Sequence, residues 1–197
     1  SKVCDQNNLT RLGCWDHCRR KFFEASKSSN GKGIGKKGLD KINKLYKIEK
    51  SIKGLAAEVV YNYRKENSVP ILKELKLWKD EQRPKLTPSS LAGKAVNYAF
   101  NEWQYLSRYV DDGIFNISNI WVENAIRPFC VGRKNWLFST SVDGANASGL
   151  FYSLSQTAKL NDLEPFDYFN KMLEKLPQAE SLDDFEKLLP LKDHFSI

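Results

Sequence analysis

Asn8-Leu-Thr-Arg-Leu-Gly-Cys14-Trp-Asp-His17-Cys18-Arg-Arg-Lys-Phe-Phe-Glu-Ala-Ser26 decides how the chain is read. Its first half alternates and is short, which predicts a β-strand. From Trp15 to Ser26 the spacing is helical, with Phe22 and Phe23 on an apolar side. A lone strand leaves backbone donors and acceptors without partners on both edges. Residues 9–14 are therefore expected to belong to a sheet whose other strands lie outside this sequence, as in a truncated domain. A first residue of Ser1 rather than methionine agrees with a processed or excised chain.

Outward from that stretch the pattern is helical. Ser28-Ser-Asn-Gly-Lys-Gly-Ile-Gly-Lys-Lys-Gly38 reads as a flexible loop. Leu39 to about Glu66 carries Leu39, Ile42, Leu45, Tyr46, Ile52, Leu55, Ala56, Val59, Val60 and Tyr63 at helical intervals, predicting one long helix kinked at Gly54. Pro70 opens a further helix to about Gln82, with Ile71, Leu75 and Trp78 inward, and Arg83-Pro84 stops it. Ser89 or Ser90 caps a helix to Asp112, whose stripe runs from Leu91 through Ala95, Ala99 and Leu106 to Val110. Asn119 to about Ile126 is a short helix ended by Pro128, and Lys134-Asn-Trp-Leu-Phe-Ser139 reads as extended. Helices over 143–161, 165–176 and 181–189 complete a mainly α chain with one or two short strands and no internal repeat.

The 197 residues are 41% hydrophobic and 12% aromatic, enough for a sizeable core, which excludes simple disorder. No apolar run approaches the ~18 residues of a membrane span, and the mean hydropathy is −0.53. Four cysteines, at 4, 14, 18 and 130, are too few for a secreted disulfide framework, so a reducing cytoplasm is the expected compartment. The net charge of +7 is uneven: residues 19–53 hold twelve Lys/Arg against three acids, a local +9. The tail from Leu160 holds nine acids against four lysines, a local −5. A concentrated positive field favours a polyanion such as nucleic acid, and a solubilising lysine face is the alternative.

Cys14 and His17 sit three residues apart at a strand-to-helix junction; the favoured reading is that Cys14 and Cys18 are small core residues beside a polar junction histidine, and a zinc site completed by Cys4 is the minor alternative. Asn119, Glu123 and Arg127 are spaced by four and share a helix face, while Ile120, Val122, Ala125 and Ile126 bury the other side. Glu123 is then either half of an ion pair with Arg127 or a metal ligand held by its neighbours. Arg133, Lys134 and Trp136 suit phosphate contact and stacking on a base, or a buried tryptophan ringed by solvated cations.

Three stretches resemble bacterial transposases of the insertion-sequence sixty-six family: Gly13 to Ala25, Val122 to Ser139, and Tyr152 to Leu160 continuing through Pro165. The resemblance implies the RNase H-like catalytic domain of DDE enzymes, in which two aspartates and a glutamate hold Mg²⁺ or Mn²⁺ for DNA strand cleavage and joining. Glu123 matches the catalytic glutamate, and Cys14 with His17 matches a Cys-x-x-His element after the last core strand. The two aspartates would lie upstream of Gly13, where Asp5 lacks their context. Ser118-Asn119-Ile120 and Glu123-Asn124 depart from the family's Asp-Asn-Asn and Glu-Arg. Residues 1–26 would then end a truncated RNase H-like domain, 27–113 form a helical insertion, and 114–197 carry the glutamate helix and carboxy-terminal helices. The implied partners are insertion-sequence DNA, contacted by Arg19, Arg20, Lys21, Arg127, Arg133, Lys134 and Trp136, and further copies of the chain. A fragment of this kind is expected to be inactive alone. The competing expectation is a non-catalytic, basic helical module for DNA binding or oligomerisation.

Overall fold

The computed structural model describes residues 9–195, and all regular structure among them is helical, so the protein is mainly α. Residues 9–14 form no strand. Their backbone is met instead by the 102–117 region: Gly13 N–H donates to Tyr105 O (2.9 Å) and Trp15 N–H to Ile117 O (3.0 Å). Arg11 pairs with Glu102 at 2.5 Å, and Arg108 donates to Arg11 O at 2.9 Å. Helical corners thus supply the partners that sheet neighbours were expected to supply. Asn8, Cys4 and Asp5 lie outside the described residues.

The chain divides into two compact units between Ile120 and Trp121. In the first, α1 (Trp15–Ser28) and α2 (Gly33–Ser51) form a hairpin. They pack with α3 (Ala57–Gln82), α4 (Leu91–Asn101) and the short α5 (Trp103–Leu106). Trp15, Phe22, Ile42, Leu45, Leu75 and Leu106 are all essentially inaccessible in the shared core. Burial of each such side chain stabilises by about 1.5–3 kcal/mol.

Three expectations fail here, two of them because tertiary packing outweighs the local signal. The glycine-rich stretch is not a loop beyond residues 29–32, because Gly35 and Gly38 sit inside α2 on its α1-facing side. A Cβ at Gly35 would lie 2.5 Å from the Ala25 backbone, and one at Gly38 would lie 2.3 Å from the Phe22 ring. These glycines let two helices approach closely. The expected kink at Gly54 is a complete break, with φ of +84° there and α3 beginning at Ala57. Pro70, in turn, starts no helix; α3 runs straight through it. Its buried stripe of Val60, Arg64, Ser68, Leu72, Leu75 and Lys79 continues across the proline. Docking Leu72 and Leu75 offsets the ~3 kcal/mol that an interior proline costs. Of the apolar residues expected inward on this part of the chain, Val60 is buried, whereas Leu55, Val59 and Tyr63 are exposed.

Arg64 explains the next departure. It is 3% exposed, forks onto Glu49 through Nε–Oε1 (2.9 Å) and Nη2–Oε2 (2.6 Å), and donates Nη1 to the carbonyls of Tyr109 and Asp112, both at 2.9 Å. Trp15 Nε1 takes the Leu106 carbonyl at 2.8 Å. The helix opened by Ser90, which caps Gly93 N–H at 3.0 Å, therefore stops at Asn101 and tightens into α5 and a 3₁₀ turn over Ser107–Val110. Carbonyls there bind side chains from other elements rather than the next helical turn.

The second unit contains most of α6 (Ile120–Trp136), then α7 (Val142–Leu160), α8 (Pro165–Lys175), α9 (Leu182–Lys187) and α10 (Lys192–Phe195). Pro128 does not end α6, and 134–139 is not a strand. Phe129, Trp136 and Tyr152 form a ring cluster, with centroids 5.2–5.9 Å apart, that ties the far half of α6 to α7. The later helices start where their caps predict. Ser141 accepts from Gly144 N–H at 3.0 Å, Glu164 precedes Pro165 and accepts from Asp167 N–H at 3.0 Å, and Ser181 with Asp184 closes a capping box. A small core joins Ala158, Tyr168, Met172 and Leu188. Among the described residues no helix is long and apolar enough to cross a membrane.

Candidate functional site

Glu123 lies in the first turn of α6 and is exposed. At 100° per residue, Arg127 and Lys134 fall within about 40° of it, so the carboxylate and two cations share one face. Phe129, Gly132 and Trp136 occupy the opposite side, against Tyr152. Arg133 stands on the flank, about 80° from Glu123. Asn119, expected on the Glu123 face, precedes the helix. The apolar positions do not bury α6 as expected: Ile120, Val122 and Ile126 are 44%, 59% and 52% exposed. Trp136 is 37% exposed, with its ring engaged by Phe129 and Tyr152.

Cys14 and His17 flank the first turn of α1. Cys14 occupies the N-cap position, with extended backbone and its Sγ 3.8 Å from Ser118 Oγ. Ser118 Oγ donates to Asp16, and Tyr46 OH donates to the other Asp16 oxygen at 2.8 Å. Burial, then the Asp16 hydrogen bond, pushes the Tyr46 hydroxyl far above its usual range. Asp16 is thus the organising acid of this corner, linking α1, α2 and the 117–118 segment. The sequence offered only its first-turn position as a signal. Cys18 is fully buried, and that burial drives its thiol well up, which keeps it protonated and inert. Among the described residues no group of three His, Cys, Asp or Glu side chains gathers closely enough to hold a metal ion.

The basic block is sorted by the hairpin. Arg19 Nε donates to Asn43 Oδ1 at 2.9 Å and its guanidinium lies over the Tyr46 ring at 5.7 Å. Lys21 sits 5.1 Å from the Tyr98 ring centroid, so both cations are half-buried against the core. Arg20 between them is exposed. These three residues therefore point in different directions around α1.

Comparison with known proteins follows the same order along the chain. The family described as Transposase IS66 family matches residues 1–147, and the IS66 C-terminal element matches residues 153–191. The uncharacterized protein y4qI of Sinorhizobium fredii is 31% identical over 194 residues, covering 96% of this chain and 35% of that protein. The uncharacterized protein y4hP of the same organism is 29% identical over 179 residues, covering 85% of this chain and 32% of its own length. The chain thus spans about a third of the length of the curated relatives it matches. No solved structure matches it.

Proposed function

The chain belongs to the IS66 transposase family, and from that premise we propose that it supplies the carboxy-terminal part of an enzyme that cuts and joins DNA at insertion-sequence ends in the bacterial cytoplasm. Glu123 is the carboxylate it contributes to the reacting centre. The observation that carries this reading is the position of Glu123 within the matched residues 1–147, exposed on α6 with Arg127 and Lys134 on the same face.

The family resemblance implies Mg²⁺ or Mn²⁺. The described residues do not fit such an ion by themselves: they bring no three ligating side chains together, and Mg²⁺ sheds water only for several oxygen ligands. What these residues do is electrostatic. A phosphodiester approaching Glu123 meets like-charge repulsion, and Arg127 and Lys134 on that face offset it. The Arg127 guanidinium has the planar fork that matches two phosphate oxygens. Arg133 and the basic hairpin add sequence-independent backbone attraction.

The test uses the complete reading frame that encodes this chain. Glu123→Gln keeps side-chain size and removes the charge. Retained binding of element-end duplex with loss of strand cleavage supports the reading. Undiminished cleavage by the variant removes Glu123 from the centre, and absence of cleavage by the parent protein favours a non-catalytic DNA-binding module.

A further inference from the structure

α2 buries one face and leaves the other to solvent. Gly35, Gly38, Leu39, Ile42 and Leu45 point inward. Lys36, Lys37, Lys44 and Lys47 fall within an arc of about 100° on the opposite side, and all four are exposed. From Lys36 to Lys47 the stripe is about 16 Å long at 1.5 Å rise per residue. The only acid within it is Asp40, which pairs with Lys36 at 2.5 Å.

The other acids that could neutralise this face are committed elsewhere. Glu49 is held by Arg64 and Glu74 by Lys41, with the more distant Lys44 also acting on the Glu74 carboxylate. Lys37, Lys44 and Lys47 enter no ion pair with another described residue. Neighbouring members of this set are within about one Debye length of each other at 0.1 M salt, so their fields add. A face made only for solubility intersperses both signs in similar number; this one sets four lysines against one acid, Asp40. Of the remaining basic block, Arg19, Lys21 and Lys41 are engaged in structure, while Arg20, Lys27, Lys32, Lys50 and Lys53 are exposed but lie outside this single-helix arc.

We propose that the Lys37, Lys44 and Lys47 stripe of α2, with Lys36 at its edge, is a docking surface for the phosphate backbone of duplex DNA. It rests on DNA being the partner in the reading above, and it places the main electrostatic contact on α2 rather than on Arg19 and Lys21. A B-form strand carries one phosphate per about 3.4 Å of axis, so a stripe of this length lies along four or five phosphates. The contact is to backbone oxygens and is therefore insensitive to sequence.

The experiment uses the 197-residue chain and a labelled duplex of arbitrary sequence, with binding followed by fluorescence anisotropy from 50 to 300 mM salt. The triple variant Lys37→Gln/Lys44→Gln/Lys47→Gln is compared with Lys159→Gln/Lys171→Gln/Lys175→Gln, which removes the same charge from exposed sites in the second unit. The stripe variant is expected to bind at least tenfold more weakly at 100 mM salt. Its log–log salt slope should shrink by about 2.7, three contacts at 0.9 each. The control should change affinity less than about twofold, and both variants should keep wild-type helicity and melting. Equal weakening by the two variants, wild-type binding by the stripe variant, or no binding by the parent chain overturns the proposal. So does tenfold preference for an RNA hairpin over duplex DNA. The Glu123→Gln cleavage assay fails or succeeds independently, which separates this proposal from the function it builds on.

Discussion

Replacing Arg64 by methionine keeps much of the apolar stem and removes the guanidinium that joins α2, α3 and the 109–112 corner. Four hydrogen bonds go with it: two to Glu49 at 2.9 and 2.6 Å, and one each to the Tyr109 and Asp112 carbonyls at 2.9 Å. Glu49 is left with 15% of its side chain exposed, so water restores only part of its solvation. Breaking a buried pair from one side costs about 3–5 kcal/mol. An orphaned carbonyl adds about 1–3 kcal/mol, part of which the methionine recovers by packing. The first unit should therefore lose about 4 kcal/mol, a large share of a typical domain's stability. Urea unfolding followed by tryptophan fluorescence reports it, since Trp15 and Trp103 lie edge to face at 6.1 Å in this unit. Glu49→Gln in the same background should recover at least ~1.5 kcal/mol, because a neutral amide no longer leaves a buried charge unpaired. A loss below ~1 kcal/mol, or no coupling between the two positions, would refute the assignment of Arg64 as the clamp.

Two further outcomes follow from the core of the same unit. Cys18 is fully buried, and burial, the main cause, raises its thiol pKa, so the folded state keeps a proton that the unfolded chain loses above about pH 8.5. Stability is therefore full below that pH and falls as pH rises beyond it, at up to about 1.4 kcal/mol per unit. Cys18→Ala should flatten this loss between pH 8.5 and 10, and an unchanged slope in urea titrations would contradict it. Gly38→Ala, which raises helix propensity by about 1 kcal/mol at an exposed site, should here lower the melting temperature by several degrees. Its Cβ would meet the buried Phe22 ring at 2.3 Å and the Trp78 ring at 2.9 Å. A higher melting temperature would mean that α1 and α2 can separate without cost.

The candidate site was half legible. Glu123 and Arg127 lie one helical turn apart, so their shared face follows from spacing alone. Lys134 joins them only because α6 continues past Pro128, which the ring cluster of Phe129, Trp136 and Tyr152 makes favourable. In the basic block, sequence showed the charge but not its sorting. Which cations face outward depends on where α2 begins, and that depends on Gly35 and Gly38 packing against α1. The Asp16, Ser118 and Tyr46 corner joins positions up to 102 residues apart, and its only local trace was the place of Asp16 in the first turn of α1.

Sequence by itself determined the helical character of the chain, the charge asymmetry, and the starts of α4, α7, α8 and α9. Caps such as Ser90, Ser141, Glu164 and the Ser181–Asp184 box act within one turn, so their effect is written in adjacent residues. Tertiary structure alone decided that 9–14 is tied to Tyr105 and Ile117 rather than to a sheet, that α3 crosses Pro70, and that Arg64 rather than Tyr63 faces inward. The local penalties at such positions are a few kcal/mol at most. Buried side chains and carbonyls satisfied from distant segments contribute as much or more, so the packed whole overrides the neighbourhood.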